Sequence, residues 1–268
     1  MQIVHSRKER NRASLAISFL TIAVLFAIWF LATRHSVPEL IFPSPESVWH
    51  AMMSLRVRLL NDSLVTLARV VSGWGLGVAL GIITGLLMTL SRTFYSISDP
   101  IIEAIRPVPP IALIPFFIIW FGLGPGGQIA LIALGCFMVM AVNTFVAVQN
   151  VPSIYLRAAS SLGASRIEIY RTVIMPAILP SLASGFRIAA ALAFGVGVAA
   201  EFMGAQSGLG FLIMVARRTL NTDTILLGTI IIGVESYLVD RCIRSVTGYL
   251  CRWSESPVEA IEQLGART

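Results

Sequence analysis

Few residues in this sequence have the type and spacing that enzyme chemistry requires. The three histidines, His5, His35 and His50, lie near the N-terminal end and outside the long hydrophobic runs, so they cannot form a metal-binding pair within those runs. Lys8 is the only lysine and no glycine precedes it, so the chain lacks the phosphate-binding loop of many ATPases. The three cysteines are too few and too scattered for a disulfide framework or a metal site. We therefore predict no catalytic residue, no metal site and no cofactor bound by this chain.

The composition indicates the class of protein. Of the 268 residues, 56% are hydrophobic and 13% are charged, whereas soluble domains carry roughly 25% charged residues. The net charge of +6 comes almost wholly from arginine, and in membrane proteins basic residues collect in cytoplasmic loops and set the orientation. We predict an all-α integral membrane protein that contacts membrane lipid and does not bind nucleic acid.

Hydrophobic runs long enough to cross a bilayer predict six transmembrane helices with both termini in the cytoplasm. The first run, 14–33, is too long for the core of a secretory signal, so a retained span is favoured over a cleaved one. Outside the membrane, Ser44 and Pro45 are predicted to be the N-cap and first residue of an amphipathic helix. The predicted layout is a cytoplasmic tail at 1–13, a span at 14–33, a periplasmic segment at 34–62, a five-span core at 63–248 that includes a cytoplasmic loop at 149–180, and a cytoplasmic tail at 249–268.

The second span carries glycines at four-residue intervals, which places them along one helix face. Such a face lets another helix approach closely. Packing within the chain is favoured, and a seam between two copies of the chain is the alternative. These glycines are Gly73, Gly77, Gly81 and Gly85.

Prolines interrupt the third span and mark a candidate pathway or gate. Asp99 and Pro100 are predicted to begin a short helix, as its N-cap and first residue. Prolines further along must break that helix, because proline lacks a backbone donor and clashes with the preceding turn. Irregular backbone within a membrane is tolerated only inside protein or beside water; the alternative is a plain bend at the interface. The candidate residues at this break are Arg106, Pro107, Pro109 and Pro110.

The fifth span, 181–203, holds a second candidate for the pathway. Gly195 and Gly197 are predicted to loosen its outer half. Glu201 follows, and a carboxylate at the edge of a span is a functional candidate. The alternative is a charge that is solvated or paired with arginine at the outer surface.

One polar, arginine-bearing stretch, 153–176, separates the fourth and fifth spans. Residues 153–162 predict a short helix, and Gly163 suits the left-handed turn that would end it. Ser165 and Glu168 have the spacing of a capping box, which predicts a second short helix. Two short helices at a glycine corner form a compact projection, and we expect it to dock onto another protein.

This stretch resembles the cytoplasmic signature of ABC importer permeases. In that signature Glu-Ala-Ala is followed after three residues by glycine, and after nine more by Ile-x-Leu-Pro. The spacing is kept here by Arg157-Ala158-Ala159, Gly163 and Val173-Ile-Met175-Pro176. Valine and methionine preserve volume and polarity, whereas Arg157 reverses the charge of the family's glutamate.

Further motifs resemble the taurine, alkanesulfonate and nitrate branch of that family, and together they cover most of the chain from about residue 38 to 253. They are Phe42-Pro-Ser-Pro45-Glu-Ser-Val48, Asp99-Pro-Ile-Ile-Glu103 with Arg106-Pro-Val-Pro-Pro110, Trp120-Phe-Gly-Leu-Gly124, Leu162-Gly-Ala-Ser165, and Ala199-Ala-Glu201 with Gly208-Leu-Gly210-Phe.

The resemblance implies a type I ABC importer fold in a bacterial inner membrane. The chain would form the translocation path with a second permease copy, with a homodimer favoured, for a small anion such as taurine, another alkanesulfonate or nitrate. A dimer of separate ATPase subunits would bind ATP and Mg, and a periplasmic or lipid-anchored binding protein would deliver the solute. The alternatives are a self-sufficient secondary carrier and a permease of the same family for a different small solute. The implied ATPase-docking residues are Arg157, Ala158, Ala159, Ser160, Ser161, Leu162, Gly163, Ala164, Ser165, Glu168 and Pro176.

Overall fold

The computed structural model describes residues 20–33, except 22 and 25, and residues 41–253. Within these ranges every regular element is a helix. Helix α1 covers the described part of 20–33, and the α-helices that follow are α2 (Pro45–Leu90), α3 (Arg92–Ile105), α4 (Ile114–Phe121), α5 (Pro125–Gln149), α6 (Ser153–Ser161), α7 (Arg166–Ile169), α8 (Met175–Gly204), α9 (Leu209–Arg218) and α10 (Thr222–Leu250). A 3₁₀ turn, Pro110–Leu113, precedes α4, and a π-helical turn, Tyr170–Ile174, precedes α8.

The membrane-spanning candidates agree with most of the predicted spans. Four stretches are long and apolar enough to cross a bilayer: α2, α5, the run Arg166–Gly204 that ends with α8, and α10. The pair formed by α3 and Pro110–Phe121, bent by 87°, is a fifth if it acts as one span. The first predicted span, 14–33, begins outside the described residues, and its described part is helical. The tail at 1–13 and residues 254–268 also lie outside them.

Helix α2 is continuous over 46 residues. It begins at Pro45 as predicted, and the backbone N–H of Ser47 donates to Oγ of Ser44 at 3.3 Å. Its length is more than twice the roughly 20 residues that a transmembrane helix needs. The predicted outer helix and second span are therefore continuous, and no break in the backbone marks the boundary between 34–62 and 63–248.

The chain forms two compact units, Met1–Leu60 with Leu212–Ile230, and Asn61–Phe211 with Ile231–Thr268. In the first unit, the indole N–H of Trp29 donates to the carbonyl of Pro43 at 3.1 Å. The rings of Phe26 and Phe42 pack edge-on against Trp29. These contacts fasten the end of α1 to the residues that lead into α2.

The core of the second unit lies where α5 packs against α8. Cys136 and Met140 on α5 and Ala189 and Ala193 on α8 are fully buried. Small residues at this interface let the two backbones approach, and the thiol of Cys136 lies 3.4 Å from the carbonyl oxygen of Ala189. This helix pair is the frame to which the segment between them, 150–174, is attached.

The glycine stripe of α2 faces α5. A β-carbon added at Gly81 would lie 2.6 Å from the β-carbon of Met140 and 2.9 Å from the backbone nitrogen of Ala141. At the other three positions it would lie 2.7 Å from the β-carbon of an α5 residue, closer than any real β-carbon approaches. Packing within the chain, the interpretation favoured from the spacing, agrees with these contacts. The stripe consists of Gly73, Gly77, Gly81 and Gly85.

Candidate functional site

The loop between α5 and α8 is built from two short helices joined at a glycine corner. Helix α6 ends in a Schellman motif: the N–H of Gly163 donates to the carbonyl of Ser160 at 3.0 Å, and the N–H of Ala164 donates to the carbonyl of Ala159 at 3.1 Å. Gly163 has φ +83°, as its predicted left-handed role requires. A side chain here would be strained by the backbone alone, because nothing lies within 4 Å of the position where its β-carbon would stand.

The predicted capping box is confirmed at the start of α7. Oγ of Ser165 accepts from the N–H of Glu168 at 3.3 Å, and Oε2 of Glu168 accepts from the N–H of Ser165 at 2.7 Å. The chain then passes through the π-helical turn into α8, where Pro176 occupies the first helical turn. Since proline fixes φ without needing a donor there, the loop joins α8 without an intervening flexible linker.

The residues of this loop form one exposed surface. Large apolar side chains are exposed on it, notably Leu162 at 88%, Ile167 at 73% and Ile154 at 63%. The predicted docking residues share this surface: Arg157, Ala158, Ser160, Ser161, Leu162, Gly163, Ser165 and Glu168 are exposed, and Ala159, Ala164 and Pro176 are partly exposed. We call the surface of 153–176 the docking loop. Exposed apolar side chains on a rigid, capped projection are typical of a contact surface for a partner protein.

The proline break of the third span is present, although its preceding helix differs from the prediction. Helix α3 ends at Ile105, and the backbone turns through 107–109 before the 3₁₀ turn and α4. Arg106 and Pro110 line a cavity of about 520 Å³ together with Asn143 of α5 and Leu192 of α8. Pro107 and Pro109 are exposed. The predicted interruption is therefore confirmed, and a cavity lies beside it.

The prediction that Asp99 and Pro100 begin a helix is wrong. Oγ of Ser91 accepts from the N–H of Phe94 at 3.2 Å and caps α3 about two turns earlier. Pro100 lies inside α3 and is exposed. Because Pro100 has no backbone N–H, one carbonyl in the preceding turn loses its helical hydrogen bond. That carbonyl can accept a hydrogen bond from outside the helix, so one interior proline does not end α3.

Glu201 lies in a buried polar network. Only 2% of this residue is exposed. Its carboxylate accepts from Nη1 of Arg69 at 2.8 Å, from Oγ1 of Thr66 at 2.9 Å and from the N–H of Gly210 at 2.8 Å. The arginine-paired alternative is therefore correct, but the pair lies in the interior of the second unit and not at a solvated surface.

The same network holds the turn that links α8 to α9. Nη1 of Arg69 also donates to the carbonyl of Ser207 at 2.7 Å, and the N–H of Leu209 donates to Oγ1 of Thr66 at 2.8 Å. Gly208 has φ +111°, and a β-carbon there would lie 2.5 Å from the Glu201 carboxylate. Glycine is required because the turn lies directly against the carboxylate. The network thus fixes a turn, and these contacts do not place Glu201 on an open path.

The glycines of the fifth span do not interrupt its helix. Helix α8 runs without interruption from Met175 to Gly204. Gly195 is exposed with nothing near its missing side chain, whereas Gly197 lets Val70 and Ile132 approach to 3.1 Å and 3.2 Å from the position of an added β-carbon. Gly197 therefore serves packing, because its missing side chain leaves room for these two side chains.

Sequence reasoning missed Thr66 and Arg69 as partners of Glu201. They stand three residues apart in α2, so both project from the same face. That spacing is the signal that could have identified them. Arg69 is separated from Glu201 by 132 residues in the sequence, and no local rule pairs residues so far apart.

Long apolar helices, a span broken at prolines and an exposed docking loop between two packed spans define a multi-pass membrane protein of the transport class. The chain belongs to the family described as the inner membrane component of binding-protein-dependent transport systems, which matches residues 77–248.

Relatives and solved structures agree with this membership. The chain is 35% identical over 262 residues to the taurine transport system permease protein TauC of Escherichia coli K12, covering 93% of this chain and 95% of that one. It is 31% identical to the putative aliphatic sulfonates transport permease protein SsuC of Bacillus subtilis 168, covering 95% and 94%. A chain of the inward-facing MetNI methionine ABC transporter matches with a TM-score of 0.56 and 21% identity, covering 71% of this chain and 98% of that one. This structural likeness supports the type I ABC importer fold.

Proposed function

We propose that this chain is the permease subunit of an ATP-driven importer for small sulfonates, of which taurine and other alkanesulfonates are the first candidates. Two copies would enclose the translocation path in a bacterial inner membrane, with N- and C-termini in the cytoplasm. A periplasmic or lipid-anchored binding protein would deliver the solute. The observation that carries the proposal is the exposed docking loop on a chain that has no phosphate-binding loop of its own.

The docking loop is the point at which energy would enter the permease. A separate ATPase subunit would bind ATP and Mg and receive the exposed apolar side chains of the loop in a surface groove. The Schellman motif at Gly163 and the capping box at Ser165 hold α6 and α7 rigid. Motion of the ATPase would therefore pass to α8 through Pro176 instead of being lost in a flexible linker.

The charge of the loop predicts the chemistry of its partner. Arg157 is exposed where the family's signature has glutamate, so an ATPase groove adapted to this chain would present an acidic side chain near it. A basic groove would place two like charges close together at the interface, which is unfavourable, and a neutral groove would leave Arg157 without an ionic partner. The small residues Ala158 and Ala159 would allow the backbones to approach closely.

The solute class rests on the named relatives and on one charge along the broken span. The relatives are named for taurine and aliphatic sulfonates, and a sulfonate is an anion. Arg106 lines the cavity at the break, and no carboxylate lines that cavity among the described residues. A fixed positive charge beside irregular backbone would favour passage of an anion. We therefore propose that Arg106 and Pro110 line the path and that Pro107 and Pro109 shape the break beside it.

Reconstitution tests the proposal. The chain would be co-expressed with an ATPase subunit and a binding protein encoded beside it, purified as one complex and placed in vesicles. We expect taurine or alkanesulfonate uptake that requires ATP, all three components and the binding protein on the outer side, with no ATPase activity from this chain alone. Nitrate and other small anions serve as competitors. Uptake driven by an ion gradient in vesicles that contain this chain alone would contradict the proposal.

A further inference from the structure

An open cavity of about 640 Å³ lies in the second unit, behind the docking loop. It is bounded by the end of α2, the start of α3, the end of α5 and the segment from α6 to the π-helical turn. Its walls therefore belong both to membrane-spanning helices and to the loop proposed to contact the ATPase. The function proposed above does not use this cavity.

Two cationic side chains, Arg92 of α3 and Arg166 of α7, line this cavity. Both are exposed, and neither makes an ion pair with another residue in the ranges that the structure describes. Within those ranges no carboxylate lines the cavity. Hydroxyl groups of Thr89 and Tyr170 lie 3.2 Å apart in its wall and add further hydrogen-bonding groups. The polar part of the cavity thus has the chemistry of a site for an anionic group.

Most of the remaining wall of the cavity is apolar, although the side chains of Tyr95 and Gln149 also line it. Met88 and Ile174, which are buried at 5% and 4% exposure, line its apolar part. Phe145, Val148, Leu156 and Ile169 complete this part of the wall. A small hydrophilic anion would pair with the arginines but would leave the apolar wall uncovered. A ligand with an anionic head and an apolar tail would satisfy both parts.

We propose that this cavity binds the headgroup and upper acyl chain of an acidic phospholipid from the cytoplasmic leaflet. The assignment to that leaflet rests on the orientation given under the proposed function. Arginine clusters beside the cytoplasmic ends of spans attract anionic headgroups. The bound phosphate would bridge Arg92 and Arg166, and so join α3 to the docking loop.

This bridge would make the docking loop sensitive to lipid composition. The π-helical turn Tyr170–Ile174 forms one wall of the cavity, and π-helical turns occur frequently at functional sites because they widen the helix locally. A lipid held against this turn would fix the angle at which the loop meets α8. Permease in membranes without acidic lipid would hold the loop less firmly.

Native mass spectrometry of the purified importer complex tests the proposal. Complexes would be titrated with phosphatidylglycerol or with phosphatidylcholine of the same chain length. The variant with R92Q and R166Q, which loses two charges, and its two single variants are compared with R171Q, which loses one charge on an exposed residue of the same loop outside the cavity. Each juxtamembrane arginine contributes roughly a fivefold factor to binding of anionic lipid. We expect phosphatidylglycerol to bind about 25-fold more weakly to the double variant and almost unchanged to R171Q.

The lipid readout is independent of transport, so it stands even if the solute assignment fails. Equal phosphatidylglycerol binding by the wild type and the double variant would overturn the proposal. Equal binding of phosphatidylcholine and phosphatidylglycerol to the wild type would also overturn it. Displacement of bound lipid by millimolar taurine would show that the cavity is a solute site instead. A monodisperse double variant with unchanged helix content establishes that lost binding is not lost folding.

Discussion

Replacing Glu201 with glutamine tests the buried network directly. Glutamine keeps the size of the side chain but cannot neutralise Arg69. Its NH₂ group would also replace an oxygen that accepts a hydrogen bond from the N–H of Gly210 or from Thr66. The Arg69 and Glu201 side chains are only 10% and 1% exposed. Breaking a buried pair by removing one charge typically costs about 3–5 kcal/mol, because the other charge stays buried. We expect a loss of that size in the free energy of unfolding.

The chain offers an exposed ion pair as a matched control. Arg187 and Asp240 pair at 2.6 Å, with side chains 41% and 31% exposed. Exposed pairs contribute about 0–1 kcal/mol, because water and salt screen them. Replacing Asp240 with asparagine makes the same kind of change as replacing Glu201 with glutamine. It also removes a second exposed pair, between Asp240 and Arg244 at 3.0 Å, and it should cost no more than about 1.5 kcal/mol in all.

Thermal unfolding of the purified importer complex measures the difference. On the scaling of water-soluble domains, 3–5 kcal/mol lowers the unfolding temperature by roughly 6–20 °C. Arg69→Gln combined with Glu201→Gln should recover a large part of the loss, because no charge is then left unpaired. Equal shifts for Glu201→Gln and Asp240→Asn, or strictly additive effects of the Arg69 and Glu201 changes, would refute the reasoning.

Three further predictions concern glycines and the docking loop. Gly163→Val should lower the amount of solute transported per ATP hydrolysed, because φ +83° strains a β-branched residue by about 1–3 kcal/mol. As a control, Gly126→Val should leave this ratio unchanged, because Gly126 has open space around it and no positive φ. An unchanged ratio in Gly163→Val would contradict the proposal that a rigid docking loop passes motion to α8. Gly81→Val should lower the free energy of unfolding of the complex by about 1–3 kcal/mol or more through overpacking against α5. Gly75→Val, which has nothing within 4 Å of its added β-carbon, should change that free energy by less than about 0.5 kcal/mol. Equal unfolding temperatures for the two variants would disprove the close packing of α2 on α5. Ser165→Ala should cost the docking loop about 1 kcal/mol of local stability, seen as faster amide exchange across α7; unchanged exchange would show that the capping box does not hold this helix.

Features governed by neighbouring residues could be predicted from the sequence. The left-handed glycine at 163, the capping box at Ser165 and Glu168 and the helix start at Pro45 each depend on four or five consecutive residues, and each is present in the structure. The glycine stripe also followed from spacing alone, because a repeat of four marks one helix face. The number of spans could be predicted approximately, because apolar length is a property of each run taken separately.

Features that depend on distant contacts or on competing local signals could not be predicted. Asp99 and Pro100 carry a helix-start pattern, but the earlier cap at Ser91 determines where α3 begins. The sequence around Glu201 indicates a carboxylate at the edge of a span. Its burial could not be predicted, because it depends on pairing with Arg69, 132 residues away. Helix α2 runs across the predicted boundary between 34–62 and 63–248, because entry into the membrane does not require a break in a helix.

The central claim is that the docking loop contacts a separate ATPase subunit. A photoreactive amino acid at Leu162, which is 88% exposed at the glycine corner, measures this contact directly in intact membranes. Leu123, 53% exposed in the turn between α4 and α5, is the control position, predicted to lie on the outer side. We predict that illumination joins the ATPase subunit to the permease from position 162 and not from position 123. Crosslinking of the ATPase from position 123, or none from position 162 in an assembled complex, would contradict the account.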